Sequence, residues 1–334
     1  MITGCDINET KMTALEICAG AGGQALGLEQ AGFEHVALVE IEKDYCKTLL
    51  LNRPEWNIIC SDLHFFDGTP YRGKVDLLAG GVPCPPFSVA GKQLGKDDER
   101  DLFPDAIRLM AEIDPKAVML ENVRGLFDLK FETYRKYIIK SFEKLGYCVQ
   151  WHLVNSADFG VPQLRPRTVM IATKFELGDI IFCPVKSYPR TVGEALYDLM
   201  SVKGWKYVDS WRRTASKIAP TLVGGSKKHG GPDLGPTRAR KAWAELGVDG
   251  KGLADDAPDI DFEGMPRLTC RMAARIQGFP DEWLFYGGKT LQYRQIGNAF
   301  PPPVAKSIGS LIIKYLKDGT SNSIGTEKIS QGIA

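Results

Sequence analysis

Residues 14–32, ALEICAGAGGQALGLEQAG, decide how this chain folds. An apolar run ends at Cys18, a glycine-rich turn follows, and an amphipathic segment comes directly after the turn. Glycines between a strand and a helix let the backbone approach a nucleotide closely. Gly20, Gly22 and Ala25 also satisfy the loose G-x-G-x-x-[GA] spacing. The stretch therefore predicts the first strand, turn and helix of a nucleotide-binding α/β domain.

The same alternation of strand-like and helix-like segments continues to about residue 175. Predicted strands lie at 14–18, 36–40, 75–79, 117–121 and 168–173, and predicted helices at 24–31, 43–51, 102–113 and 132–145. Short strands that are apolar on both faces and separated by amphipathic helices are typical of a mostly parallel, doubly wound sheet. The predicted fold class is therefore α/β.

The alternation stops near Ser187, where glycine, proline and charged residues become frequent. Residues 224–236, GGSKKHGGPDLGP, cannot form the interior of a helix or of a central strand. Tryptophans at three positions in this half favour a loop-rich folded domain over disorder. We predict a nucleotide-binding catalytic domain at residues 1–186, a smaller domain at 187–285, and a return segment at 286–334 that completes the first domain and frays from about 321.

Composition and chain ends exclude several classes of protein. The hydrophobic content of 44% is typical of a globular domain with a full core. We expect no membrane span, because no apolar run approaches ~18 residues. The amino terminus has no basic region followed by an apolar stretch, so we expect no secretory signal and a cytoplasmic location. The eight cysteines form no CxxC pair and lie apart from the four histidines, so we expect neither a metal site nor disulfides.

Positive charge is concentrated in the second domain, although the net charge of the chain is only +1. Between Lys203 and Lys241, ten basic residues stand against Asp209 and Asp233, and residues 249–263 are acidic. A local basic surface in a neutral protein is typical of contact with a polyanion such as nucleic acid. A solvated basic loop is the alternative.

The strongest local motif is GGVPCPPFSVAGKQLG at residues 80–95. Cys84 follows the third predicted strand, and ligands of open α/β sheets bind at the carboxyl ends of strands. Pro83, Pro85 and Pro86 fix the backbone around this thiol. The setting favours a reactive cysteine over a structural one. An ordinary thiol has a pKa of about 8.5, so activation requires nearby positive charge.

Further ionisable side chains lie at the ends of other predicted strands. Glu40 ends the second strand, where an acid typically binds ribose hydroxyls, and Asp62 follows the next short apolar run. Glu121 ends a buried strand, where a raised pKa would suit proton donation. Arg165 and Arg167 lead into the last strand. The alternatives are that the acidic residues only cap turns and that the two arginines lie on the surface. Because the ends of parallel strands face one crevice, we expect these side chains to form a single site.

Seven blocks of the sequence, in this order, resemble the prokaryotic DNA cytosine-C5 methyltransferases. They are ALEICAGAGG (14–23), VEIEKDY (39–45), VPCPPFSVAGKQ (82–93), ENVRG (121–125), QLRPR (163–167), RLTCRMAARIQGFPD (267–281) and YRQIGNAFPPPVA (293–305). The likeness covers nearly the whole chain. It implies the S-adenosylmethionine-dependent methyltransferase fold, with a target-recognition domain at residues 187–285.

The resemblance also implies the chemistry, which is methyl transfer to C5 of a cytosine flipped out of double-stranded DNA. Cys84 would attack C6, Glu121 would hold or protonate N3, and Arg165 and Arg167 would hold the base and the active loop, with the arginine that touches the base left open. S-adenosylmethionine would be bound by Cys18, Ala19, Gly20, Gly22, Gly23, Glu40, Ile41, Asp62, Pro83 and Asn298. DNA would be contacted by Ser88, Lys92, Gln93, Lys227, Lys228, Arg238 and Arg240.

The sequence departs from the family pattern at two positions, and three alternatives stay open. Cys18 stands where the family usually has Phe, which weakens the expected aromatic contact to adenine, and Pro85 stands where Gln is frequent. A nicotinamide-dependent oxidoreductase would explain Glu40 but not the proline-flanked Cys84. A tRNA cytosine-C5 methyltransferase would carry a Cys-Phe-Thr tripeptide, which is absent here. A non-catalytic DNA-binding relative would not need Cys84 and Glu121. We expect a monomer whose further partner is a restriction endonuclease acting on the same DNA site.

Overall fold

The computed structural model describes residues 11–83, 101–175, 190–225, 231 and 233–330, with side chains as far as residue 318. Its strands are β1 (Met12–Ile17), β2 (Phe33–Glu40), β3 (Ile58–Cys60), β4 (Leu77–Gly81), β5 (Ala117–Val123), β6 (Cys148–Asn155) and β7 (Pro166–Thr173). They form one seven-stranded sheet in the order β3-β2-β1-β4-β5-β7-β6. Strands β1 to β5 pair in parallel, and β7 is antiparallel to both of its neighbours. The predicted mostly parallel α/β fold is confirmed.

Helices cover both faces of this sheet. They are α1 (Gly23–Ala31), α2 (Lys43–Asn52), α3 (Phe103–Ile113), α4 (Glu132–Glu143), α5 (Val192–Ser201), α6 (Val208–Thr214), α7 (Thr237–Glu245), α8 (Cys270–Gln277), α9 (Lys289–Asn298) and α10 (Pro302–Ser330). Side chains of β4 alternate between the faces, because Leu77 packs in the core that α10 completes and Leu78 in the core that α3 and α4 complete. Burial on both faces explains why these strands are apolar throughout.

Helix α10 brings the end of the chain back to its beginning. It packs along α1 so closely that a Cβ at Gly27 would lie 2.4 Å from the carbonyl oxygen of Pro302. Only a glycine permits that approach of two helix backbones. The helix continues to Ser330, beyond the point near residue 321 from which the sequence predicts fraying.

Helices α5 to α9 surround an apolar core that is continuous with buried residues of α1, β2 and α2. Trp205, Trp211 and Trp243 are all buried in it, together with residues of α8 and α9. Helix α5 begins with a reciprocal capping box, in which Thr191 and Glu194 bond each other's backbone N–H groups. The loop-rich half of the sequence therefore folds around its tryptophans.

The direction of β7 corrects one expectation. The sequence predicts Arg165 and Arg167 at the end of a parallel strand, but Arg165 directly precedes β7 and Arg167 is its second residue. Both would lie at the opposite edge of the sheet if β7 were parallel. Because β7 runs antiparallel to β5, its first residues lie beside the last residues of β5, with Arg167 opposite Val123. Strand β6, which was not predicted, lies at the sheet edge and is only partly buried.

Candidate active site

The glycine-rich turn after β1 is tied to the end of β2 by Glu40. One carboxylate oxygen of Glu40 accepts a hydrogen bond from Gly20 N at 2.7 Å, and the other accepts one from Glu42 N at 2.8 Å. The side chain is buried, and burial raises its pKa while these N–H donors oppose the rise. Glu40 is therefore fixed in one orientation at the rim of the sheet, with its carboxylate beside the turn.

Two glycines of the turn serve its packing. Gly22 has a φ of +83°, and a Cβ there would lie 2.7 Å from Leu49 and 2.9 Å from Trp283. A Cβ at Gly23 would lie 2.3 Å from the carbonyl oxygen of Phe300. A larger residue at Gly22 would push against Leu49 of α2 and Trp283, and one at Gly23 would push away the segment that follows α9. Of the predicted cofactor residues, Gly22 lines neither cavity described below.

A cavity opens between the carboxyl ends of β1, β2 and β4, and we call it the Glu40 cavity. It is lined by seven of the predicted cofactor residues, namely Cys18, Gly20, Glu40, Ile41, Asp62, Pro83 and Asn298. Asp62 also accepts a hydrogen bond from His64 N at 3.0 Å. It therefore caps a turn in addition to lining the cavity. Cys18 has a φ of +52°, which is unusual for a residue with a side chain.

A second cavity adjoins the first, and we call it the Glu121 cavity. It is lined by Glu121, Ala19 and Gly23, and it shares Cys18, Gly20, Tyr45, Gly81 and Asn298 with the Glu40 cavity. The two cavities therefore meet along a common wall at the carboxyl ends of the strands. This is where open α/β sheets bind their ligands.

Among the wall residues that the sequence did not predict are three with polar side chains, Glu16, Gln24 and Tyr45. Glu16 and Gln24 are buried, yet Glu16 Oε2 and both polar atoms of the Gln24 amide have no hydrogen-bond partner among the described residues. Burial raises the pKa of Glu16 well above that of an ordinary carboxyl. Buried polar groups are normally satisfied, so these atoms favour a polar ligand in the Glu121 cavity. The charged residue within the otherwise apolar β1 was the available signal.

Glu121 and Arg167 form an ion pair across β5 and β7. The distance from Arg167 Nε to Glu121 Oε1 is 2.8 Å, and only 12% and 13% of the two side chains are exposed. Burial raises the pKa of Glu121, although the charges of Arg167 and Arg165 oppose the rise. Since the carboxyl is nearly enclosed, part of its population is protonated at a higher pH than an exposed carboxyl would allow.

Arg165 is completely buried and bonds only backbone carbonyl groups. Its Nη1 donates to Leu222 O at 2.9 Å, and its Nη2 donates to Gly297 O at 2.8 Å and to Ala299 O at 3.2 Å. These acceptors belong to two distant parts of the chain, around residue 222 and around residue 298. The two arginines therefore have different environments, because Arg167 faces Glu121 while Arg165 joins the smaller domain and the end of α9 to the sheet.

The end of β4 lies beside Glu121. A Cβ at Gly81 would be 3.5 Å from Glu121 Oε2, and Asn122 Nδ2 donates to Val82 O at 2.7 Å. Pro83 is the next residue and lines the Glu40 cavity. Six predicted site residues, Cys84, Ser88, Lys92, Gln93, Lys227 and Lys228, lie outside the described residues. Cys84 directly follows Pro83, so its chain position is next to this edge of the sheet.

The basic and acidic stretches of the smaller domain are partly paired with each other. Lys203 contacts Asp256 at 2.6 Å and Asp259 at 3.1 Å, and Lys206 pairs with Asp261. Counting the stretches separately therefore overstated the free positive charge. Two predicted DNA contacts, Arg238 and Arg240, lie on α7, and Arg238 is exposed while Arg240 approaches Asp233 at 3.9 Å.

The described part of the chain holds no candidate metal site and no candidate transmembrane helix. No group of three or more His, Cys, Asp or Glu residues there could hold a metal ion. Within the same residues, every helix is too short or too polar to cross a bilayer.

Comparisons with known proteins agree over most of the chain. The sequence model of the family described as C-5 cytosine-specific DNA methylase matches residues 12–314. Type II methyltransferase M.NgoMIV of Neisseria gonorrhoeae is 58% identical over 312 residues, which cover 92% of this chain and 99% of that protein. M.NaeI of Lentzea aerocolonigenes is 52% identical over 313 residues, covering 90% and 74%. A solved structure of a DNA modification methyltransferase from an Escherichia coli prophage has a TM-score of 0.66 at 25% identity, covering 92% and 99%.

Proposed function

Because the chain belongs to the family of C-5 cytosine-specific DNA methylases, we propose that it methylates C5 of a cytosine flipped out of a specific double-stranded DNA sequence, through a covalent bond from Cys84 to the base. The observation that carries this proposal is the buried pair of Glu121 and Arg167 beside the end of β4, because Glu121 lines a cavity that adjoins the Glu40 cavity. Carboxyl, guanidinium and thiol are the three groups that addition to a cytosine ring requires.

S-adenosylmethionine is the methyl donor that the family implies, and the residues of the two cavities fit it. Glu40 would bind the ribose hydroxyls, as an acid at the end of the second strand does in nucleotide-binding sheets. Ile41 and Asp62 would contact the adenine, and the unpartnered atoms of Glu16 and Gln24 would meet the polar amino-acid end. When bound, the cofactor supplies an electrophilic methyl group. Tyr45 lines both cavities. Its ring would make the aromatic contact to adenine that Cys18 cannot make.

The chain's own groups carry the base chemistry in this proposal. The Cys84 thiolate adds to C6, which makes C5 nucleophilic, and the negative charge that develops on the ring is relieved at N3 by Glu121. After C5 has gained the methyl group it loses its proton, and the bond between sulfur and C6 breaks. Arg167 holds the Glu121 carboxyl and is available to the base carbonyl. Arg165 positions the site, because its two Nη groups already donate to Leu222, Gly297 and Ala299, although its buried Nε has no partner among the described residues.

The variant Glu121→Gln tests the role of the carboxyl. Its amide can still donate a hydrogen bond to N3 but cannot transfer a proton, so we expect kcat to fall about 10²-fold. Because burial raises the pKa of Glu121, its protonated fraction falls as pH rises through that raised value, and the wild-type rate should fall with it. Single-turnover rates of tritiated methyl transfer across pH would measure both effects. The Glu121→Gln variant should not show this fall in rate at high pH. If its pH profile matches that of the wild-type protein, Glu121 is not the proton donor.

The double variant Lys227→Ala/Lys228→Ala tests the DNA-binding face of the smaller domain. Each lysine that contacts a phosphate releases about one counterion, so we expect weaker binding and a log–log salt slope shallower by about 2. Fluorescence anisotropy with a labelled duplex at several salt concentrations measures the slope. The matched control is Lys203→Ala/Lys206→Ala, because these lysines are paired with Asp256, Asp259 and Asp261. Equal slope changes in both variants would remove Lys227 and Lys228 from the phosphate contacts.

The tRNA cytosine-C5 methyltransferase alternative is less well supported, since the family model describes DNA methylases and the relatives with 58% and 52% identity are named Type II methyltransferases. Their names also support our proposal that a restriction endonuclease acts on the same DNA site. Bisulfite sequencing of plasmid DNA incubated with the purified protein and S-adenosylmethionine tests the function directly. We expect one short sequence context to become resistant to conversion. Methylation of tRNA with no change in the plasmid would favour the alternative.

A further inference from the structure

Two free cysteines lie beside the segment that ends β2. Cys46 is buried in the first turn of α2, and Cys60 is the exposed last residue of β3, the strand at one edge of the sheet. The Cys46 thiol donates to Glu40 O at 3.5 Å, and the Cys60 thiol donates to Ile41 O at 3.9 Å. The two sulfurs therefore bond consecutive carbonyl groups of one short segment. We call Cys46 and Cys60 the dithiol.

The segment that the dithiol contacts is part of the wall of the Glu40 cavity. Glu40 and Ile41 line this cavity, and so do Ser61 and Asp62, the two residues that follow Cys60. Cys60 is opposite Glu40 in the pairing of β3 with β2, and Ser61 N donates to Glu40 O at 3.1 Å. Any change at the two sulfurs therefore acts directly on backbone that forms the cavity wall.

The two thiols also interact with each other, and they differ in reactivity. The pKa of Cys46 is raised to about 12 by burial, by a hydrogen bond with Cys60 and by the negative charge that Cys60 carries as a thiolate. Because Cys46 is enclosed and protonated at neutral pH, Cys60 is the thiol that meets an oxidant in solution. The hydrogen bond and the charge both vanish once Cys60 has formed a mixed disulfide, so the Cys46 thiolate then forms more easily.

We propose that the dithiol is a redox modification site, which a low-molecular-weight disulfide converts to a Cys46–Cys60 disulfide that weakens cofactor binding. The Cys60 thiolate attacks one sulfur of the oxidant and releases the other as a thiolate. Cys46 then loses its proton and attacks the Cys60 sulfur, which releases the second small thiolate. The protein loses two electrons and two protons, and one small disulfide becomes two small thiols.

The effect on the cofactor rests on the proposed function, because it assumes that the Glu40 cavity binds S-adenosylmethionine. Oxidation removes the thiol donors to Glu40 O and Ile41 O. We expect S-adenosylhomocysteine to bind about 10-fold more weakly to the disulfide form, an effect equivalent to one ordinary hydrogen bond. By thermodynamic linkage, saturating S-adenosylhomocysteine must oppose the oxidation by the same factor. This factor raises the reduction potential of the dithiol by about 30 mV.

The test equilibrates the purified chain in glutathione buffers of increasing oxidised fraction, with and without saturating S-adenosylhomocysteine. Acid quenching, alkylation and peptide mapping measure the fraction in which Cys46 is joined to Cys60, separately from every other cysteine. We expect this linked peptide pair to form, to disappear with dithiothreitol, and to have a midpoint about 30 mV higher when the ligand is present. Calorimetry on the reduced and the oxidised protein measures the difference in affinity.

Serine variants of the dithiol separate its oxidation from that of Cys84. Cys60→Ser leaves only the buried thiol, so in oxidising buffer it should keep the S-adenosylhomocysteine affinity of the reduced wild-type protein. Cys46→Ser should stop at the first step and carry a glutathione adduct on Cys60. Cys148→Ser is the matched control, because Cys148 is also an exposed cysteine, on the strand at the opposite edge of the sheet. It should respond to oxidation as the wild-type protein does.

Failure of the dithiol and failure of the proposed function give different results. Absence of the 46–60 link in a buffer that fully modifies Cys148 would overturn the inference. A link that leaves the S-adenosylhomocysteine affinity unchanged would also overturn it, as would a loss of affinity that persists in Cys60→Ser. A reduced wild-type protein that does not bind S-adenosylhomocysteine would instead contradict the proposed function.

Discussion

Replacing Cys84 with serine should reduce methyl transfer about 10⁴-fold or more, while the binding of cofactor and DNA persists. A serine hydroxyl is almost entirely protonated at neutral pH and is a far poorer nucleophile than a thiolate, so addition to C6 would fail. Losses of this size are typical when an enzyme's nucleophile is removed. Incorporation of tritiated methyl groups measures the rate, and anisotropy and calorimetry measure the binding of DNA and S-adenosylhomocysteine.

The matched control for this prediction is Cys148→Ser. Cys148 is an exposed free cysteine on β6, at the edge of the sheet. We expect this variant to keep wild-type activity, which would show that general loss of a thiol is harmless. Full activity of Cys84→Ser would contradict the covalent scheme.

Replacing Arg165 with alanine should lower the free energy of unfolding by about 3 kcal/mol. The change leaves three buried carbonyl groups, on Leu222, Gly297 and Ala299, without their charged donor. It also detaches the smaller domain from β7 at the point where Asn298 lines both cavities. Urea denaturation, followed by tryptophan fluorescence, measures the loss.

Arg165→Lys and Arg167→Ala provide the comparison for that prediction. A lysine keeps the charge but has one ammonium group and no planar fork, so it should recover only part of the stability. Arg167→Ala should lose about 1 kcal/mol, since the Glu121 that it leaves can become protonated, but its methyl transfer should fall more than that of Arg165→Lys. Equal losses of stability in the two alanine variants would contradict the separate roles of the arginines.

The sequence predicted those features that depend on local pattern. The glycine-rich turn lies between a strand and a helix that local periodicity predicts. Glu40 ends the next strand that the same periodicity predicts. Four of the five predicted strands are parallel neighbours in the sheet, as expected. The charge of Glu16 within the otherwise apolar β1 is visible in the sequence, whereas its burial at the wall of the Glu121 cavity is not.

Features that depend on distant contacts could not be predicted in this way. The acceptors of Arg165 lie 57, 132 and 134 residues away in the chain, so nothing near QLRPR reveals its burial. The pairing of Lys203 with Asp256 and Asp259 likewise joins two stretches that local charge counting treats as independent. The direction of β7 depends on where β6 places the chain, and β6 was missed because it is a partly buried edge strand.

The most direct measurement uses a duplex that carries 5-fluorocytosine at the methylated position. Fluorine at C5 cannot leave as a proton does, so elimination of the enzyme is blocked once sulfur has added to C6 and C5 has been methylated. We predict a complex with S-adenosylmethionine that survives denaturing electrophoresis, whose DNA-linked peptide contains Cys84, and which Cys84→Ser does not form. A protein that methylates the ordinary duplex but gives no such complex, or gives one attached elsewhere, would contradict the account.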